Sequence, residues 1–112
     1  MEQVRDSRMA SITKLQDIEL AEARQKLMIY SALDKRVPLE AFFQIRDNPG
    51  ITFNEIVREV KAKKALVAYH LGIMKATGLV TFTYERKGQK TSSYNLTELG
   101  KKFAKELAAA IK

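Results

Sequence analysis

At Gly78 the apolar pattern of this chain changes period. Before it, in "ALVAYHLGIMKAT", Val67, Leu71 and Met74 fall on one face of a helix, with His70 on its flank and Ala65, Tyr69, Gly72 and Ala76 on the other. After it, Val80, Phe82 and Tyr84 alternate with Thr81, Thr83 and Glu85, and beyond "RKGQK" Tyr94 and Leu96 alternate with Ser93 and Asn95. A period near 3.6 giving way to a period of 2 means that a helix feeds a β-hairpin. If the hairpin folds about Gly88, Phe82 faces Tyr94 and Val80 faces Leu96, so the apolar side chains share one side of the ribbon. Gly78 supplies the left-handed stop between the two.

The flanking segments are helical. From Ile12 to Arg36 there is no Gly or Pro, and Leu20, Ala23, Leu27, Tyr30, Leu33 and Val37 recur at three- and four-residue spacing. Val37-Pro38 should end that helix, because the residue before proline is pushed out of the α region. A short helix over 39–47 follows and stops at Asn48-Pro49-Gly50. Thr52 with Glu55 three residues on forms a capping box for the next helix, which buries Ile56, Val57 and Val60. At the far end Thr97 caps a last helix in which Leu99, Phe103, Leu107 and Ile111 align. Gly100 sits in its first turn, at some expected cost in stability.

The order is therefore a long leading helix, a trio of helices, a hairpin with a basic tip, and a closing helix. That is an α+β, mostly helical class, with the order of a winged helix-turn-helix. With 112 residues there is room for one modest core. The division reads as 1–37, an N-terminal helical extension; 38–97, the winged domain; and 98–112, a C-terminal helix for core closure or dimerisation.

Composition removes several function classes. No apolar run approaches the roughly 20 residues that span a bilayer, and Glu2 and Asp6 in an amino terminus without an apolar stretch do not read as a secretory signal. The expected location is the cytoplasm, on the nucleoid. There is no cysteine and one histidine, so neither a disulfide framework nor a thiolate or His-cluster metal site is expected, and no cofactor is implied. Nothing pairs a nucleophile with a base, so an enzyme is not expected. His70 reads as a structural imidazole, half-buried and bonded to a backbone carbonyl.

Charge is divided unevenly. Residues 1–60 hold nine Lys or Arg and ten Asp or Glu; residues 61–112 hold eleven basic and three acidic. The whole excess of +7 thus comes from the second half, which carries +8 against −1. Clustered Lys and Arg are the footprint of phosphate neutralisation, each contact releasing condensed counterion.

"VAYHLGIMKATGLV" resembles the recognition-helix signature of winged-helix regulators of the ArsR and MarR kind, with its His-Leu pair and Gly-Leu-Val ending. "YNLTELGKKFAKEL" resembles the second wing strand and following helix of those families, where Leu-Thr-x-x-Gly is common. The similarity covers roughly residues 39–107, and the long leading helix is a further point of likeness to small archaeal regulators described as Lrs14-like. It implies a dimeric protein that binds double-stranded DNA.

On that reading the helix from Lys64 enters the major groove, where small residues let the backbone sit deep and Tyr69 reaches a base edge, a thymine methyl or a phosphate. Ala65 and Gly72 supply the small surface; Lys61, Lys63 and Lys64 meet flanking phosphates; Arg86, Lys87, Gln89 and Lys90 at the hairpin tip lie on the adjacent minor groove or its phosphates; Thr52 touches a phosphate. No Arg, Asn or Gln projects from the middle of the helix, so sequence selectivity should be modest and salt dependence steep. Leu20, Leu27 and Tyr30 on the first helix, with Phe103, Leu107 and Ile111 on the last, are candidates for a two-fold interface, one terminal helix closing the core and the other dimerising. Two other readings stay open: an architectural protein that coats DNA, and a winged helix used for protein interaction.

Overall fold

A computed structural model describes the backbone of residues 2–85 and 91–111 and the side chains of 16–84 and 92–110. Its elements are α1 (Glu2–Leu33), α2 (Arg36–Asp47), β1 (Ile51–Thr52), α3 (Phe53–Val60), α4 (Lys64–Ala76), β2 (Val80–Glu85), β3 (Thr91–Leu96) and α5 (Glu98–Ile111). The sheet is antiparallel in the order β1-β3-β2, so the mostly helical winged helix-turn-helix read from the sequence is the fold found.

The hairpin keeps the register that the alternation demands: Val80 pairs with Leu96 and Phe82 with Tyr94. The base of its inner face, at Val80, packs on the apolar stripes of the helical trio, whereas Phe82 and Tyr84 stay 37% and 47% exposed. Phe42 and Ile45 from α2, Ile56 and Val60 from α3, and Val67, Leu71 and Met74 from α4 meet Leu79 and Val80 at the start of β2. Each such fully buried side chain contributes about 1.5–3 kcal/mol relative to exposure. Gly78, at φ +81°, turns the chain out of α4 as expected, and the N–H of Leu79 bonds back to the Met74 carbonyl at 2.9 Å.

Three local features differ from the sequence reading. The break between the first two helices falls at Asp34-Lys35, not at Val37-Pro38: Lys35 is extended (φ −160°, ψ 156°) and α2 already begins at Arg36. Pro38 thus lies in the first turn of α2, where a missing N–H deprives no helical bond. A third strand, β1, pairs Ile51 with Tyr94 and Thr52 with Ser93. In α1 the core-facing residues are Ile29 and Leu33, whereas Leu20 and Leu27 stay 58% and 66% exposed. Residues 16–28 of α1 are exposed throughout.

Both α1 and α5 help to close the core. Phe103 and Ala104 of α5 are buried beside Ile29 and Leu33, and Tyr30 meets the Phe103 ring edge-on at 5.4 Å while its hydroxyl donates to the Glu106 carboxylate at 3.1 Å.

Candidate nucleic-acid interface

The turn between α3 and α4 begins with Lys61, a left-handed residue (φ 56°) whose N–H bonds the Val57 carbonyl at 2.9 Å. Its conformation ends α3 in a position usually given to glycine. Ala62 packs against the core and anchors the turn, leaving Lys61, Lys63 and Lys64 exposed on either side of it. Lys63 is the N-cap of α4, yet its side chain makes no cap bond, and the first turn of α4 carries no acid. The positive pole of α4 is therefore flanked by cations instead of being offset by a carboxylate, an arrangement unfavourable in isolation by a few tenths of a kcal/mol or more and favourable toward an anion.

The two faces of α4 are as the helical period predicts. Val67, His70, Leu71 and Met74 are buried. Ala65, Ala68, Gly72 and Ala76 are exposed, with Tyr69 at 63% and Leu66 at 43%. A Cβ added to Gly72 would meet nothing within 4 Å, so nothing inside the protein requires glycine there. Leu66 escaped the sequence reading because its neighbour Val67 carries the core contact and the pair reads as one apolar step. Lys75 escaped as well: its ammonium sits 4.0 Å from the centroid of the Phe82 ring, which stacks on Tyr94 at 5.8 Å. This cation–π contact ties the end of α4 to the wing.

Other anticipated site residues lie elsewhere or have other work. The hydroxyl of Thr52 accepts from the Glu55 N–H at 3.2 Å and donates to the Glu55 carboxylate at 2.8 Å; both its functions are committed to the capping box, which leaves no spare proton for a phosphate. The backbone N–H of Thr52 donates to the same Glu55 carboxylate at 3.1 Å, and that bond foremost, then the one from the hydroxyl, holds Glu55 below the usual carboxylate range. Arg86, Lys87, Gln89 and Lys90 lie outside the described residues, as does the side chain of Ile111. Of the residues considered for a two-fold interface, Leu20 and Leu27 are exposed and joined on α1 by Ile18 and Met28, at 60% and 63%. Phe103 is buried in its own chain and Tyr30 and Leu107 pack against that core. A stripe read along one helix does not reveal which other helix will cover it.

His70 is more deeply placed than expected, at 7% exposure, and Nδ1 has no hydrogen-bond partner in place of the anticipated carbonyl. Burial, and then the charge of Lys35, lower its pKa. Because the unfolded chain takes up this proton at higher pH, the contribution of neutral His70 is full above about pH 6.5 and is lost as pH falls through the lower folded-state value. His70→Gln should therefore flatten part of the decline in Tm between pH 7 and pH 5. Equal declines in both proteins would show that His70 does not titrate differently on folding.

No family model matches the chain, and no curated protein matches it. Solved structures do. The transcriptional regulator HlyU from Vibrio vulnificus is 21% identical, with 87% of this chain and 97% of that one covered at a TM-score of 0.67. The homodimeric winged helix-turn-helix DNA-binding domain of Mb0332 from Mycobacterium bovis, a possible ArsR-family transcriptional regulator, is 19% identical, with 84% and 85% covered at 0.66. MarR is 17% identical, with 88% and 73% covered at 0.63. These likenesses establish the winged-helix fold of such regulators. No described helix is long and apolar enough to cross a membrane.

Proposed function

We propose that this chain binds double-stranded DNA as a homodimeric transcriptional regulator. In this reading α4 lies in the major groove, Lys61, Lys63 and Lys64 meet phosphates beside it, and the tip with Arg86, Lys87, Gln89 and Lys90 follows the adjacent minor groove or its phosphates. The observation that carries the reading is the outer face of α4: a helix start flanked by lysines followed by Ala65, Ala68, Tyr69 and Gly72, all exposed. A solvated helix face is ordinarily charged; one of small residues around a single tyrosine suits close approach to another macromolecule. Residues 38–97 then act as the reading unit and α5 closes the core. The exposed α1 segment with Ile18, Leu20 and Leu27 pairs with a second copy, as these apolar side chains stay 58% or more exposed among the described residues.

A second reading has its own support. From Lys64 to Ala76 the recognition helix contains no Arg, Asn or Gln, the residues that discriminate guanine or adenine by paired hydrogen bonds. An architectural protein that coats DNA with little selectivity would need none.

Binding to a mixed pool of short duplexes across a salt series, with mass in solution measured alongside, separates these. A dimer whose binding weakens steeply with salt and enriches particular sequences supports a regulator; uniform binding supports the architectural role; no binding at low salt removes both. Gly72→Leu sharpens the test. Since the site is open in the free protein and glycine is a poor helix former, the unfolding midpoint should hold or rise, while duplex affinity should fall about tenfold or more, or ~1.4 kcal/mol. Unchanged affinity would mean that the backbone of α4 does not approach DNA. Tyr69→Ala adds the assignment of that side chain: equal loss on all sequences places it on the backbone, and loss confined to preferred sites makes it a reader.

A further inference from the structure

Outside α4, the large apolar side chains that stay exposed among the described residues fall into two groups of different chemistry. On α1 they are unbranched or branched hydrocarbon chains: Ile18, Leu20, Leu27 and Met28. On β2 they are rings, Phe82 and Tyr84, two positions apart and therefore on the same face of the strand. Stripes of the first kind suit another helix, whereas exposed flat rings suit a flat partner.

Phe82 is part of a stack. Tyr94, its partner across the hairpin, packs against the core and stacks on it with ring centroids 5.8 Å apart and planes 26° from parallel. Over the Phe82 ring, 4.0 Å from its centroid, lies the ammonium of Lys75, an exposed residue at the end of α4. The order β1-β3-β2 makes β2 an edge strand of the described sheet. One neighbour of Phe82 is thus held by packing, and the other is the tip of a flexible four-carbon stem that can swing aside. A ring with a cation beside it matches both parts of a nucleotide, the base on the ring and the phosphate on the ammonium.

We propose that the aromatic face of β2 binds unpaired nucleotides of a nucleic-acid strand, one base stacking on Phe82 in place of the Lys75 ammonium, the next lying on Tyr84, and Lys75 meeting the phosphate between them. Same-face positions on a strand are two rises apart, about 6.6–6.8 Å, a separation that neighbouring nucleotides of an extended strand reach. Bases inside a duplex cannot use the site, because their faces are already stacked. Every base has a π face, so the site is tolerant of sequence. It is separate from the groove contact assigned to α4 and does not rest on it.

Anisotropy of short labelled strands mixed with the full-length protein across a salt series tests this. Oligodeoxyuridylate and oligouridylate differ in the 2′-hydroxyl, so the tighter of the two identifies the strand as DNA or RNA. An abasic strand of the same length keeps the phosphates and lacks the bases. The parent should bind the better base-bearing strand at least about tenfold more tightly than the abasic one. Phe82→Leu and Tyr84→Leu should each weaken that binding at least about fivefold, with abasic and duplex affinities unchanged, and Lys75→Gln should lower the slope of log K against log salt by about 0.7. Leucine keeps an apolar side chain at each position, and an unchanged unfolding midpoint verifies the fold. Tyr84, the more exposed of the two, keeps the test decisive should Phe82→Leu loosen the hairpin. Equal affinity for abasic and base-bearing strands, equal losses on duplex and single strand in both ring variants, or an undiminished salt slope in Lys75→Gln overturns the proposal. A parent that binds the base-bearing strand but no duplex strikes the functional reading and leaves this site standing.

Discussion

Gly100→Ala should lower stability by about 3 kcal/mol, the upper part of the range for overpacking, although helix propensity alone predicts a gain of up to ~1 kcal/mol. Gly100 belongs to the first turn of α5, and its N–H donates to the capping hydroxyl of Thr97 at 2.9 Å. An added Cβ would collide with the Leu79 carbonyl oxygen and lie 3.3 Å from the Leu96 Cβ. That carbonyl cannot easily move aside, because it accepts the Thr97 N–H at 3.0 Å and belongs to the segment joining α4 to the wing. The Leu-Thr-x-x-Gly pattern thus has a mechanical meaning: threonine caps α5 and glycine lets its first turn rest on the strand. Urea midpoints for Gly100→Ala and Gly72→Ala give the contrast, since both replace a helical glycine and only the first meets an obstacle. A Gly100→Ala midpoint at or above that of the parent would show that the turn can shift away.

What the sequence revealed follows from how local each signal is. The hairpin register was legible because two alternating runs around Gly88 admit one pairing that puts Val80, Phe82, Tyr94 and Leu96 together. The capping box and the glycine stop were legible because each is built within a few residues. Strand β1 was not: two residues carry no period, and its existence depends on Tyr94 and Ser93, some forty positions away. Proline misplaced the first helix boundary because the same residue that ends a helix is tolerated in the first turn of the next. In the candidate site, the bare face of α4 followed from its period alone. The fate of Thr52, Tyr30 and Phe103 depended on partners chosen by tertiary packing, and so did the missing hydrogen bond of His70.

Replacing Lys61, Lys63 and Lys64 together by Gln should have the largest effect on DNA affinity. Each phosphate contact contributes about 0.9 to the slope of log K against log salt, so loss of three contacts reduces the slope by about 2.7. At 0.1 M monovalent salt the same relation gives a loss of roughly 500-fold, shrinking toward nothing near 1 M. Stability should move the other way. Lys63 and Lys64 stand at the positive end of α4, whose first turn has no acid, and neutralising them relieves a repulsion of about 0.3–1 kcal/mol each. A surface that is costly to the free protein and profitable only against an anion is difficult to explain as solvated residue choice. Weaker binding, a shallower slope and a raised unfolding midpoint in one variant would link the lysines to phosphate. A slope that stays parallel to the parent would place these lysines off the DNA, and the helix start would then be sought as a contact for an acidic protein surface.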